Sequence, residues 1–386
     1  MRFHVIGLPH TKTKKDYCAC AYTQKVLNFC KMMISLGHTV FEYSAQGSQA
    51  ECTEHIDIIS NEEQEKFFGA TDWKKNTFPI EWDVTKIYWR LTNQRAAEEI
   101  NKRKQRQDFV CIVGGNCQKP LFDLVGEELT INVEPFVGYA GIFCKYRVFE
   151  SYSHQAFING TLSHDPDFKA YDAVIPNYFD PADFQFGPVK KDYLLYIGRL
   201  IQRKGLQVVL EIAKRTDLKV ILAGQGVVGQ TDKLLKTEEG IDIPLDGNIS
   251  YVGYADVALR SQLMREAKAV LMPTSFLEPF GGVAVEAQMC GTPVITTDHA
   301  VFHETIKHGV TGWRCHTLEH FMYAVNHLDG FNYKKIRKIA IDNYSIDKVK
   351  YMYQEYFQQL LGLWGPGWYD LSNLDKRTEM NWLNKT

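Results

Sequence analysis

The sequence predicts an α/β protein made of two doubly wound parallel-sheet domains facing a central cleft. Three observations carry this. A chain of 386 residues suits two domains at about 100–200 residues each. Short apolar strand-like runs alternate with helix-spaced apolar positions through both halves, and strands separated by helices need crossover connections, hence parallel sheets. A connector with two prolines, Ile175-Pro176-Asn177-Tyr178-Phe179-Asp180-Pro181, interrupts the alternation, each proline holding the residue before it extended. The expected domains are residues 1–176 and 177–363, with the tail from about 364 to 386 packing back onto the first.

Each element follows in turn. Phe3–Ile6 reads as a strand, and Gly7 opens a polar loop to about Lys15. Val26, Leu27, Phe29, Cys30, Met33 and Ile34 recur at helical spacing, with Gly37 placed to cap the helix end. Thr39-Val40-Phe41 starts the second strand. Further strands are expected at Phe109–Val113, Leu129–Val133, Tyr146–Phe149 and Ala173–Ile175. The stretch from Glu62 to Asp83 has no assignable period. Beyond the connector, strands at Tyr193–Ile197, Lys219–Leu222, Ile249–Val252, Ala269–Met272 and Pro293–Thr296 alternate with helices at Leu206–Arg215, Leu259–Ala267, Val283–Cys290 and Leu318–Leu328. An amphipathic helix over Ile346–Leu363 leads to the aromatic end Trp364-Gly365-Pro366-Gly367-Trp368-Tyr369.

Composition excludes several classes. Hydrophobic residues at 45% and charged residues at 23% argue against a disordered chain. Forty-four basic against 46 acidic residues leave a net charge of −2, so no global positive field would hold a nucleic acid. The dense basic run Lys102-Arg103-Lys104 with Arg106 is read as the end of an exposed helix. No apolar stretch approaches the ~20 residues of a membrane span, and the first residues are too polar for a secretory signal. Nine cysteines without a Cys-x-x-Cys pair read as reduced, mostly buried thiols. The expectation is a cytoplasmic protein.

In doubly wound sheets ligands bind beyond the carboxyl ends of the strands, so the strand-to-helix loops are where chemistry is sought. Thr274-Ser275-Phe276-Leu277-Glu278-Pro279-Phe280-Gly281-Gly282-Val283-Ala284-Val285-Glu286-Ala287 joins a strand to a helix. Gly281 and Gly282 let a ligand approach the backbone, and a helix start with free N–H groups favours phosphate. Glu286 lies four residues into the helix from Gly282, on the face that meets the ligand. Carboxylates such as Glu278 and Glu286 suit sugar hydroxyls, from which they accept hydrogen bonds. A second loop, Tyr196-Ile197-Gly198-Arg199-Leu200-Ile201-Gln202-Arg203-Lys204-Gly205, supplies Arg199 and Lys204, which can converge on one anion.

Gly198-Arg199-x4-Lys204-Gly205 followed by Glu278-x-Phe280-Gly281-x4-Glu286-Ala287 resembles the retaining glycosyltransferases of family four (GT4), which have the GT-B fold of two Rossmann-like domains. Ile175-Pro176-Asn177-x2-Asp180 resembles that family's interdomain connector, and Gly291-Thr292-Pro293-Val294-Ile295 the strand after its donor helix. The likeness is specific over residues 175–314 and diffuse over 1–174. It implies that Arg199 and Lys204 bind the diphosphate of a UDP- or GDP-sugar with the amides of Gly281 and Gly282. It also implies that Glu278 holds the donor sugar's hydroxyls and Glu286 the ribose. Tyr251-Val252-Gly253 is expected to wall the base, with Gly224 lining the same cleft. Gly7 sits where such enzymes present backbone to the sugar, although the family's common Gly-Gly pair is missing. The resemblance places His154 near the sugar C6 or the reaction centre, and Glu134 is a candidate for binding the acceptor. The implied reaction is metal-independent, cofactor-free hexose transfer to a glycan or another hydroxyl acceptor.

Competing readings have their own residues. Gly224-Gln225-Gly226-Val227-Val228-Gly229 fits a dinucleotide fingerprint and would suit an NAD-dependent oxidoreductase if a packed helix followed. Asp165-Pro166-Asp167 has the form of an Asp-x-Asp metal site but reads as a turn. His316 with His320, and His299 with His303, share a spacing of four, yet two ligands do not fill a zinc shell. A sugar-nucleotide-binding protein with a decayed active site would lack some of Arg199, Lys204, Glu278 and Glu286. All four are present.

Overall fold

The computed structural model describes residues 1–69, 73–74, 79–162, 171–245 and 247–363. The first domain runs β1 (Arg2–Ile6), α1 (Ala21–Ser35), β2 (Thr39–Ala45), β3 (Glu54–Ile59), α2 (Asn61–Phe68), α3 (Ile87–Arg103), β4 (Asp108–Cys111), α4 (Lys119–Val125), β5 (Thr130–Val137), β6 (Tyr146–Phe149), α5 (Tyr152–Leu162) and β7 (Asp172–Val174). The strands lie in the order β3-β2-β1-β4-β5-β6-β7, every pair parallel. Strand alternation sends Phe3 and Val5 of β1 into one apolar layer and Ile6 into the other, so both faces of the sheet are covered.

The second domain runs β8 (Lys191–Ile197), α6 (Leu206–Ala213), β9 (Lys219–Ala223), β10 (Val227–Gln230), β11 (Leu234–Thr237), β12 (Asp242–Pro244), β13 (Ile249–Tyr251), α7 (Val257–Glu266), β14 (Ala267–Met272), α8 (Gly282–Met289), β15 (Val294–Thr297), α9 (Phe302–Thr305), β16 (Gly312–Cys315), α10 (Leu318–Asn326) and α11 (Tyr333–Tyr344). Its sheet has the order β13-β9-β8-β14-β15-β16, again parallel. Chain order reverses between β8 and β14. The loops leaving those two strands therefore diverge at the switch point, where a crevice opens.

One expectation changes here, and two open points are resolved. Helix α12 (Ile346–Leu363), placed in the second domain by a boundary at 363, packs in the core of the first: Phe357 lies 4.8 Å from Phe3 and 4.7 Å from Phe109 between ring centroids. The helical period shows that one face is buried but not against what. The glycine pattern at 224–229 leads into β10, the first strand of the antiparallel β10-β11-β12 unit, and no helix starts there to hold a pyrophosphate. Within the unassigned stretch from Glu62 to Asp83, α2 forms on a reciprocal cap in which Ser60 Oγ accepts from the Glu63 amide and Glu63 Oε2 from the Ser60 amide. The tail with Trp364 and Trp368, and Asp165-Pro166-Asp167, lie outside the described residues. Among the described residues no helix is long and apolar enough to cross a membrane. All nine cysteines are free, and only Cys18 and Cys52 are partly exposed.

Candidate active site

The β8 loop packs against the β14 and β9 loops at two glycines, Gly205 against the first and Gly224 of the β9 loop against Gly198. Gly205 has φ +81°, and a Cβ there would lie 2.0 Å from the Pro273 carbonyl oxygen. Gly224, at φ +135°, would place a Cβ 1.9 Å from the Gly198 carbonyl oxygen. Any side chain at either position collides with backbone, so the crevice floor is built from main chain. The 274–278 turn wraps the end of the β8 loop. Thr274 Oγ1 and the Ser275 amide donate to the Arg203 carbonyl at 3.0 and 3.1 Å, and the Phe276 ring lies beneath the Arg203 and Lys204 cations.

This wrapping pairs Lys204 Nζ with Glu278 Oε1, with Glu278 only 10% exposed. Burial pulls the Lys204 pKa down from its usual value, and the Glu278 carboxylate works against that fall. Arg199 is exposed on the same loop and has no ion-pair partner among the described residues. Gly281, in the left-handed region at φ +73°, is the residue before α8, and no side chain caps the helix start. Arg199, Lys204 and the free amides at the start of α8 thus belong to the two loops that flank the crevice, loops that the Lys204–Glu278 pair ties together.

Glu286 of α8 is engaged by Arg260 of α7, both 16% exposed. Arg260 escaped the sequence reading because a lone arginine on a helix carries no local signal. Val252 follows β13 with its side chain 40% exposed, its amide donating to the Leu222 carbonyl. Beside it, Tyr251 donates its hydroxyl to the Gly224 carbonyl at 2.8 Å, which fixes the loop expected to wall the base. The first domain reaches this end: Cys18 Sγ and Tyr254 Oη lie 2.8 Å apart, and Tyr17 stacks on Trp73, which meets Tyr254 edge-on.

The first domain corrects two expectations. Gly7 is buried, with its amide donating to the Tyr43 carbonyl and its carbonyl accepting from Gln118 Nε2 at 2.9 Å. Its polar groups are therefore spent inside the domain, and its missing side chain admits Ser44, whose Cβ would lie 2.7 Å from a Cβ at position 7. Glu134 accepts from the Phe143 and Cys144 amides and from the Tyr139 hydroxyl, so its carboxylate ties down its own loop.

His154 does come to the domain junction. It is 3% exposed in the first turn of α5, its amide donating to Ser151 Oγ, which itself donates to the Pro279 carbonyl of the second domain at 2.7 Å. Burial, then the nearby Lys25 charge, pulls its pKa down to about 4, so the imidazole is neutral at pH 7. Its Nδ1 has no hydrogen-bond partner. Lys25 of α1 is paired with Glu150, just beyond β6, both nearly fully buried. Lys25 falls on the buried face of α1 with Val26 and Phe29, and a lysine among apolar positions was the signal for that pair.

On the far edge of the second sheet Asp298 bridges His303 and His316, at 2.9 and 3.0 Å, so neither predicted histidine pair acts alone. Among the described residues no group of three or more His, Cys, Asp or Glu side chains is arranged to hold a metal ion.

Residues 180–324 match the family model of glycosyl transferases group 1. Over 154 residues the chain is 31% identical to the phosphatidyl-myo-inositol mannosyltransferase of Mycolicibacterium smegmatis, an overlap covering 36% of this chain and 38% of that protein. Over 125 residues it is 33% identical to the D-inositol 3-phosphate glycosyltransferase of Pseudarthrobacter chlorophenolicus, covering 31% of this chain and 30% of the other. The chain thus spans well under half the length of these relatives. Two solved structures align along nearly the whole chain. HepE of Anabaena, crystallised with UDP-glucose, superposes with a TM-score of 0.62 at 14% identity over 92% of this chain and 98% of its own. A glycosyltransferase from Rickettsia africae gives 0.63 at 16% identity over 93% and 98%. The fold is GT-B. In GT-B terms the crevice between β8 and β14 lies within the residues that match the group 1 model, and Ser151 and His154 approach it from the other domain.

Proposed function

We propose that this protein is a retaining glycosyltransferase of family four that moves a hexose from a UDP- or GDP-sugar to a glycan or another hydroxyl acceptor. One observation carries the reading: the Lys204–Glu278 ion pair ties the β8 loop, which also bears Arg199, to the loop that leads into the uncapped start of α8 at the switch point of the second sheet. Two basic side chains and free helix amides on adjoining loops suit a diphosphate, and the second oxygen of Glu278 suits sugar hydroxyls. Support for a nucleotide sugar comes from the group 1 match over the same residues and from GT-B structures solved with UDP and UDP-glucose.

In the proposed step the bond between the sugar's anomeric carbon and the diphosphate oxygen breaks. The acceptor oxygen bonds to that carbon on the same face, and its proton passes to the departing phosphate oxygen. The products are a nucleoside diphosphate and a glycoside of unchanged anomeric configuration. Arg199, Lys204 and the α8 amides would take up the charge that grows on the diphosphate, the part a divalent cation plays elsewhere. Glu286, held by Arg260, would orient the ribose. Neutral His154 could share a hydrogen bond with the transferring sugar through the unpartnered Nδ1.

The test is thermal denaturation with UDP, GDP, ADP and NAD, followed by turnover of the stabilising nucleotide's sugar with and without EDTA. A ligand that binds only the folded state raises its stability. Stabilisation by UDP or GDP, turnover unaffected by EDTA, and retained anomeric configuration by NMR are expected. Stabilisation by NAD alone would overturn the proposal in favour of an oxidoreductase, and nucleotide binding without turnover in favour of an inactive binder.

A further inference from the structure

Helix α5 begins at the domain junction, and its first amides have no acceptor within the helix. The acceptor comes from the other domain. Glu304 of α9 accepts from the Tyr152 amide through Oε2 at 3.0 Å, from the Ser153 amide through Oε1 at 2.9 Å, and from Ser153 Oγ at 2.6 Å. One residue earlier, Ser151 Oγ bridges the Pro279 carbonyl and the His154 amide. The element bearing Glu304 touches the donor loop as well, because the Phe302 ring would lie 3.0 Å from a Cβ on Gly281.

We propose that Glu304 is a positioning residue for the transfer step, a charged clasp that draws His154 onto the Glu278–Gly282 loop; the inference rests on the function proposed above. A carboxylate at a helix N-terminus gains from both the free amides and the helix dipole. Two domains of one chain otherwise move relative to each other by default, so reacting groups on opposite walls need a device that sets their separation. The clasp sits in solvent, where a charged contact is worth little enough to release. It can therefore close on a bound donor and open to let the nucleoside diphosphate leave. Glu304 touches neither donor nor acceptor in this arrangement and acts only through α5.

The experiment uses the full chain with Glu304→Ala and Glu304→Gln, and three readouts. These are UDP and GDP affinity by calorimetry, nucleoside diphosphate released from UDP-glucose and a GDP-hexose with water as acceptor, and the radius of gyration with UDP bound. Glu304→Ala should lower turnover about fivefold, change nucleotide affinity less than twofold, and enlarge the radius of gyration. Glu304→Gln, keeping one acceptor oxygen, should fall between. Wild-type turnover and scattering in Glu304→Ala would overturn the inference. So would parallel losses of turnover, nucleotide affinity and melting temperature, the mark of a purely structural residue. If the unmodified protein releases no nucleoside diphosphate from either sugar, the proposed function fails, while the scattering comparison still decides whether Glu304 closes the cleft.

Discussion

Lys204 and Glu278, 74 residues apart in sequence, form an ion pair at the crevice between β8 and β14, uniting the two loops that the doubly wound topology places side by side. The pair holds the ammonium on the loop that leads into α8 and spends one oxygen of the carboxylate. A diphosphate arriving there would share Lys204 with Glu278.

The first prediction concerns that cation. Lys204→Ala should lower turnover of a nucleotide sugar by on the order of 10²–10³, by analogy with the loss of a charge-stabilising donor. Initial rates on UDP- and GDP-sugars measure it, and a wild-type rate would remove Lys204 from the site.

The second separates structure from binding at Glu286. Glu286→Ala leaves Arg260 largely buried without its partner and should destabilise the fold by about 3–5 kcal/mol. A double variant, Arg260→Met with Glu286→Leu, should recover most of that stability in urea unfolding and still bind the donor poorly. Recovery of both stability and donor affinity would show that Glu286 does not touch the ligand.

The third is a pH dependence. Burial lowers His154 to about 4 and His10 to about 3, whereas both titrate near 6.5 when unfolded. Between those values the unfolded chain binds protons that the folded chain refuses, so stability is complete above about pH 6.5 and drains as pH falls towards 4. For His154 alone the loss amounts to about 3 kcal/mol. Urea midpoints from pH 7 to 4 should fall steadily, and His154→Leu should flatten the slope. An unchanged slope would place the imidazole in contact with water.

The fourth tests the crevice floor. Gly224→Ala puts a methyl group on the Gly198 carbonyl and forces a non-glycine residue to φ +135°. The strain should cost at least about 1–3 kcal/mol and lower the melting temperature. Nucleotide affinity should fall too, since the β8 loop that carries Arg199 must move. Gly37→Ala is the control: its φ is +77° but nothing lies within 4 Å, so nucleotide affinity should be unchanged.

Much of this was legible locally. The run of apolar residues in β8 and the glycines at 198, 205, 281 and 282 are short-range signals, because strand burial and left-handed backbone act on neighbours. The Ser60-x-x-Glu63 cap was equally local and still passed unread among acidic and aromatic residues. Arg260, Ser151 and Glu304 were out of reach. Each acts on a residue that lies far along the chain, and a side chain's partner across a cleft leaves no periodicity behind. Gly7 misled for the same reason: its position after β1 suggested a ligand, and its need for glycine comes from Ser44 on the neighbouring strand.

By itself the amino-acid order determined two parallel-sheet layers, the place of the connector and the loops holding Arg199, Lys204, Glu278 and Gly281, since all of these follow from spacing within a few turns or strands. Only the tertiary structure decided that α12 belongs to the first core, that Arg260 holds Glu286, and that Glu304 caps α5 from across the cleft. Apolar faces and charges state what they need, whereas the surface that satisfies them is chosen when the whole chain has packed.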